Sequence, residues 1–199
     1  MAQQTGLFEE RCRVFVDEAG ARIAYYPAVF DSEQSARFFD VLRHGVPWAA
    51  EQMWMYDRTV AVPRLVASYA PGESLPEVVE TMRDCVGDLL NERFNAVGLN
   101  YYRQAGDSVA WHSDHAGELV AQPVIALVSL GCVREMLVRS KSRPRRSFSC
   151  DLDPGSVFVM SGRSQEFWEH HIPKCKRATE PRISVAFRQR PEPRYDPIP

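Results

Sequence analysis

The sequence predicts an α+β fold: a jelly-roll core, the double-stranded β-helix arrangement, with N-terminal helices packed on it. Three observations predict it. Two helical segments precede Phe94. Eight short runs rich in β-branched and aromatic residues, parted by turn chemistry, crowd the stretch from Ala96 to Arg188. The composition is ordinary for a globular chain of 199 residues, 45% hydrophobic and 25% charged, and a chain of that size buries a core without covalent staples.

The elements follow in order. The first helix starts near Asp31/Ser32, runs through Phe38, Phe39, Val41 and Leu42, and stops at Gly45. It has a cap residue before it and a glycine after it. The second starts after Ser74, with Pro76 in its first turn; Val79, Met82, Val86 and Leu89/Leu90 recur at three- and four-residue spacing, which is one helical face. The strands are expected at Ala96–Arg103, Val109–His112, Val124–Leu130, Glu135–Val138, Ser147–Leu152, Val157–Met160, Glu166–Ile172 and Arg182–Arg188. Eight strands this closely spaced suit a sandwich or jelly roll. The tail after Arg190, PEPRYDPIP, reads as extended.

Composition excludes several classes. There is no internal repeat, no low-complexity linker, and no run near the roughly 18 apolar residues of a membrane helix. The start lacks a basic region followed by an apolar run, so no signal peptide is expected. The five cysteines, Cys12, Cys85, Cys132, Cys150 and Cys175, are an odd number without a CxxC pair. They read as thiols of a reducing cytoplasm rather than a disulfide framework or a zinc site. The net charge of −2 hides an asymmetry. Residues 1–133 carry ten Arg, no Lys and eighteen acidic residues, whereas residues 134–190 carry thirteen basic and six acidic ones. A basic C-terminal half points to an anionic partner or to a solvated basic face.

Three local patterns carry chemistry. His112-Ser113-Asp114 ends a short strand, and an i, i+2 pair on extended backbone shares one face. A His and an Asp side by side are half of a metal site, and the His170-His171 pair offers the third ligand. Two histidines and a carboxylate with open positions suit a non-haem iron centre; zinc, which prefers four ligands, is the competing reading. Along Arg182–Arg188, Arg182, Ser184, Ala186 and Arg188 share one face; Ile183, Val185 and Phe187 share the other, expected to pack into the sandwich. A buried arginine requires an anion, and its planar fork fits a carboxylate. In Asn100-Tyr101-Tyr102, alternation places Asn100 and Tyr102 together, both able to hydrogen-bond a carboxylate.

Taken in order, Asn100-x-Tyr102, His112-x-Asp114, His170-x-Ile172-Pro173 and Arg182-x5-Arg188 resemble the AlkB family of Fe(II)/2-oxoglutarate-dependent nucleic-acid dealkylases. The resemblance spans about Asn95 to Arg188. The twelve-residue step from His170 to Arg182 fits the family and selects His170 over His171, which then faces the other way. The resemblance implies that His112, Asp114 and His170 bind Fe(II). It implies that Arg182 pairs with the distal carboxylate of 2-oxoglutarate, helped by Tyr102, and that Arg188 and Asn100 lie near its iron-chelating end. Ser184 stands where these enzymes commonly place an asparagine. Val62-Pro63-Arg64, with Tyr69 beyond it, is similar to the family's nucleotide-recognition region, with Arg64 as a phosphate contact. Ala116 occupies the position where repair enzymes often carry an acidic residue, and Glu118 substitutes for it if the loop bends at Gly117.

The implied chain is one compact unit: residues 1–94 an N-terminal extension with helices and the nucleotide-recognition segment, 95–190 the catalytic jelly roll, 191–199 a tail. The implied reaction uses Fe(II), 2-oxoglutarate and dioxygen to hydroxylate the alkyl carbon on a base nitrogen of alkylated DNA or RNA, such as 1-methyladenine, 3-methylcytosine or an etheno adduct. No membrane association is expected; the enzyme is expected to be a cytoplasmic monomer. Basic residues in Arg134, Arg139, Lys141, Arg143, Arg145 and Arg146, and in Lys174, Lys176 and Arg177, are candidates to track a phosphate backbone. Gln52 to Arg58, with Trp54 and Tyr56, is a candidate base-flipping lid. Two other readings stay open: an oxygenase of this fold acting on a protein or small molecule, and a non-catalytic nucleic-acid-binding module.

Overall fold

The computed structural model describes residues 12–55, 57–114, 116–175 and 180–191. The N-terminal eleven residues, Tyr56, His115, Lys176, Arg177 and the Pro-rich tail beyond residue 191 lie outside the described residues, as do the side chains of Trp54 and Ala116.

The strands are β1 (Arg13–Glu18), β2 (Ala21–Tyr26), β3 (Ala49–Met55), β4 (Arg58–Tyr69), β5 (Ala96–Tyr102), β6 (Val109–His112), β7 (Val124–Gly131), β8 (Arg134–Ser140), β9 (Ser147–Leu152), β10 (Val157–Gly162), β11 (Trp168–Ile172) and β12 (Arg182–Arg188). Among the described residues they form an eight-stranded sheet, ordered β1-β2-β10-β7-β12-β5-β4-β3, and a four-stranded sheet, ordered β6-β11-β8-β9. Every pairing is antiparallel. The eight strands from β5 onward divide four and four between the sheets, which is the expected jelly roll.

Helix α1 (Ser32–Gly45) has the expected limits, and α2 (Glu77–Leu90) forms where expected but starts later, past Pro76. Asp31 caps α1 in a reciprocal box. Its carboxylate accepts the Gln34 backbone N–H (2.8 Å), and the Gln34 side chain accepts the Asp31 N–H (3.1 Å). Pro76 is the N-cap of α2 rather than a first-turn residue, because its ψ of 141° is extended. Phe38 and Leu42 of α1 join Val79, Met82 and Val86 of α2 over Leu99, Val128 and the Ile183, Val185 and Phe187 face of β12. Each such buried side chain contributes roughly 1.5–3 kcal/mol. A second core, with Ile23, Leu127, Met136, Phe158, Trp168 and Ala186, lies between the sheets.

Three expectations are corrected here. The apolar face of β12 packs under the helices, not into the sandwich; the arginine-bearing face is the one between the sheets. The helices need the larger continuous apolar surface, so the polar face is turned inward. Second, the segment expected as strand Glu166–Ile172 begins with a single helical turn, α3 (Ser164–Phe167). A bidentate Arg163–Glu166 ion pair (2.6 and 2.8 Å) closes that turn. Third, the chain before Phe94 is not chiefly helical. It supplies four strands of the large sheet, two at each end. β1 and β2 are joined by Ala19-Gly20, both at positive φ (49° and 77°), as a two-residue hairpin turn requires.

Candidate metal centre

β6 and β11 lie side by side with His112 directly opposite His170. Their rings stand 4.2 Å apart between centroids. Asp114 follows just past the end of β6. One ligand atom from each of His112, Asp114 and His170 lies within 4.8 Å of the others. His112 Nδ1 donates to the Ala110 carbonyl (2.9 Å), which fixes the tautomer and leaves Nε2 free, 3.8 Å from Asp114 Oδ1. Burial, reinforced by His112, pushes the pKa of His170 down to about 3, and burial likewise lowers that of His112; both rings are neutral near pH 7, as metal ligands must be. Burial opposes the charged form of Asp114, but Arg188 and the histidines outweigh it and hold the carboxyl below its usual range. Arg188 Nε donates to Asp114 Oδ2 at 2.6 Å, so Oδ1 remains for a metal. His171 faces away: its Nδ1 bonds the Val109 carbonyl and its ring stacks on Trp111 at 5.1 Å.

The triad opens into a cavity of about 960 Å³ between the two sheets. Its wall includes the inner faces of β5 and β12, in register as Arg182 opposite Tyr102 and Ser184 opposite Asn100. Arg182 is 1% exposed. One terminal nitrogen donates to Ser129 Oγ (2.8 Å), and the guanidinium lies 5.2 Å from the Tyr102 ring centroid. Its Nε and Nη1 have no protein partner among the described residues, nor has the Ser184 hydroxyl. Burial draws the Arg182 pKa down to about 10, still charged at pH 7. A buried cation with two unused donors fits a carboxylate, and two imidazoles with one carboxylate fit a divalent metal keeping open positions.

Other expected residues divide. Arg64 lines the cavity and donates from Nε to Asn100 Oδ1 (2.6 Å), so both are held at the wall. Glu118, in the turn Ala116–Glu118, stands at the cavity and is paired with Arg190 (2.7 Å). Tyr69 is not brought there. It packs against the core under the helices, at the far end of β4.

The basic segment is corrected in part. Arg134 is buried, bonding the Asp107 and Pro173 carbonyls (2.8 and 2.6 Å). Arg139 pairs with Glu169 and stacks on Trp111, Lys141 binds the Gln165 carbonyl, and Arg146 pairs with Glu18. Arg143, Arg145 and Lys174 are exposed. Unpaired cations are not recognisable in a sequence, because the carbonyls and carboxylates that engage them come from distant segments.

The sequence reading assigns no site role to three contributors: Ser129, Arg190 and Gln165, whose Oε1 accepts the Asp114 backbone N–H (2.8 Å). A serine inside the apolar run Val124–Leu130 was a signal available for Ser129; nothing local marks the others.

The family model of the 2OG-Fe(II) oxygenase superfamily matches residues 22–188. The chain is 30% identical to human and mouse alpha-ketoglutarate-dependent dioxygenase alkB homolog 3, over 89% of its own length and 69% of theirs. It is 29% identical to the Arabidopsis thaliana DNA oxidative demethylase ALKBH2, over 85% of this chain and 66% of that one. In fold it is similar to a 2OG-Fe(II) oxygenase-family oxidoreductase from Burkholderia pseudomallei, with a TM-score of 0.56, 20% identity, and coverage of 88% and 87%. It is similar also to OsALKBH1, with a TM-score of 0.58, 14% identity, and coverage of 89% and 100%. With the match running from β2 to the last residue of β12, the chain belongs to the AlkB family of the 2OG-Fe(II) oxygenase superfamily, dioxygenases that employ Fe(II) and 2-oxoglutarate.

Proposed function

We propose that this dioxygenase removes alkyl groups from N-alkylated bases in DNA, with 1-methyladenine, 3-methylcytosine and etheno adducts as its substrate class. The observation that carries the reading is one cavity holding the His112, Asp114 and His170 cluster together with the buried, partly unpaired guanidinium of Arg182. The relatives named as alkB homolog 3 and as DNA oxidative demethylases support the substrate.

In this reading His112 Nε2, Asp114 Oδ1 and His170 would hold Fe(II). Arg182 would take the distal carboxylate of 2-oxoglutarate with an unpartnered guanidinium donor, with Tyr102 beside it and the Ser184 hydroxyl as a further donor. When bound, Fe(II) and 2-oxoglutarate would supply, with dioxygen, oxidative hydroxylation of the alkyl carbon at the expense of 2-oxoglutarate, which becomes succinate and CO2, so that the alkyl group would leave as an aldehyde and the base be restored. Arg188 keeps Asp114 ionised and oriented. Arg64 steadies Asn100 near the iron-chelating end of the cosubstrate. Glu118, at the rim, is suited to a cationic base, with Arg190 as its resting partner. Flipping such a base costs less than flipping a normal one, because alkylation at the pairing edge has already weakened its pairing.

The enzyme acts as a monomer in the cytoplasm. Free thiols at Cys12, Cys85, Cys132 and Cys150 suit a reducing compartment. No helix among the described residues is long and apolar enough to cross a membrane.

The test is aerobic turnover with Fe(II) and 2-oxoglutarate on an oligonucleotide carrying 1-methyladenine, following succinate and loss of the adduct mass. Repair is expected from the parent chain and none from His170→Ala. Succinate release without repair of methyl or etheno adducts would move the substrate outside nucleic acid.

A further inference from the structure

Asp114 sits where the sheet no longer helps it. β6 ends at His112, and Ser113 and Asp114 have no strand partner. A buried backbone N–H at such a position needs an acceptor from elsewhere. Gln165 provides one: its Oε1 accepts the Asp114 N–H at 2.8 Å. The amide is itself fixed, being 6% exposed, with Nε2 directed at Met160 Sδ and Ser164 Oγ, both 3.4 Å away. Beside it the Ser113 hydroxyl donates to the Trp168 carbonyl (2.8 Å). Both links land on the short stretch of α3 and β11 that leads into His170.

We infer that Gln165 is a positioning residue for the metal: by holding the Asp114 backbone, it locks the loop carrying one ligand onto the segment carrying another. The inference rests on the reading of His112, Asp114 and His170 as the metal centre. The chemistry requires a side chain that accepts toward Asp114 while donating behind itself. A glutamine does both without placing a second charge beside the Asp114 carboxylate. Ser113 adds a parallel tie, so the loop is held on both sides of one peptide unit. The carboxylate is then constrained at its backbone by Gln165 and at Oδ2 by Arg188, which leaves Oδ1 little freedom to swing from the two imidazoles.

The test measures metal affinity, not turnover. Mn(II) binding to the metal-stripped chain is titrated by electron paramagnetic resonance, and the Co(II) visible spectrum is recorded for the parent, Gln165→Leu and Gln165→Glu. Leucine keeps the bulk and removes the acceptor; a carboxyl restores it. Gln165→Leu is expected to bind Mn(II) about tenfold more weakly, the lower end of the effect of outer-sphere partners, and to alter the Co(II) spectrum. Gln165→Glu, which restores the acceptor but loses the rear donors and adds a charge beside Asp114, is expected to bind Mn(II) more tightly than Gln165→Leu and less tightly than the parent. Parent-like Mn(II) affinity in Gln165→Leu, whatever its melting temperature, would overturn the inference and leave Gln165 a packing residue. Should Gln165→Leu fail to fold, Gln165→Met, an unbranched side chain without the amide oxygen, takes its place. It is expected to weaken Mn(II) about as much, and parent-like affinity would overturn the inference. A parent chain that binds no Mn(II) would instead sink the metal centre itself, and the inference with it.

Discussion

Arg182 and Arg188 share one strand face yet meet different needs. Arg188 is committed to Asp114 and Arg182 only to a serine hydroxyl, with two donors left over. Their difference predicts different kinetics. Arg182→Met keeps the bulk and removes the charge, so it is expected to raise the KM for 2-oxoglutarate tenfold to a hundredfold while changing kcat less. That corresponds to about 1.5–3 kcal/mol for a hydrogen bond to a charged group. Steady-state succinate release against 2-oxoglutarate concentration checks it, and an unchanged KM would remove Arg182 from the cosubstrate site. The residue pattern was legible here because strand alternation places both arginines on one face whatever the fold. Which side of the sheet that face meets was not legible, because it depends on the helices outbidding it for the apolar surface. Arg134 shows the same limit: in sequence it is one cation in a basic run, in space a buried strut between Asp107 and Pro173.

At the level of elements, β5 and β12 are matched over their whole length, from Ala96 opposite Arg188 to Tyr102 opposite Arg182. Gly98 lies on β5 where a Cβ would come within 2.8 Å of Arg188 Nη1. The glycine is therefore a notch that admits the guanidinium which holds Asp114. The obstructed atom is the tip of a flexible side chain, so Gly98→Ala is expected to leave the melting temperature nearly unchanged. It should reduce turnover severalfold by pushing Arg188 off Asp114. Thermal denaturation beside succinate release separates the two effects; equal losses in both would mean that the glycine serves only the sheet. Helix positions and most jelly-roll strands were readable from caps, periodicity and turns. The strands before Phe94 were not, because the helical patterns near Asp31 and Ser74 are stronger than the short alternations of Val14/Val16 and Ile23/Tyr25, and the strands that tie this segment into the sheet, β10 beside β2 and β5 beside β4, lie later in the sequence.

For the whole molecule, the basic half indicated by composition divides: Arg134 is buried, Arg139, Lys141 and Arg146 are engaged by carboxylates or a carbonyl, and Arg143, Arg145 and Lys174 are exposed cations outside those pairings. If the β8–β9 loop tracks phosphates, Arg143→Glu with Arg145→Glu weakens oligonucleotide binding. The double variant is expected to lower the slope of log affinity against log salt by about 1 to 2, with 2-oxoglutarate KM unchanged. Fluorescence anisotropy at several salt concentrations measures this. An unaltered slope would assign nucleic-acid contact to the Lys174 segment or to the β3–β4 hairpin instead.

The pairing of β6 with β11 has a consequence for timing. His112 and His170 become neighbours only when strands far apart in the chain have joined the same small sheet, and Asp114 is secured only when α3 is in place beside them. A partly unfolded chain therefore lacks the pairing that gathers the three side chains. With the metal centre as proposed, iron would be bound only by molecules whose small sheet has already formed, so an unfinished chain would hold no oxidant.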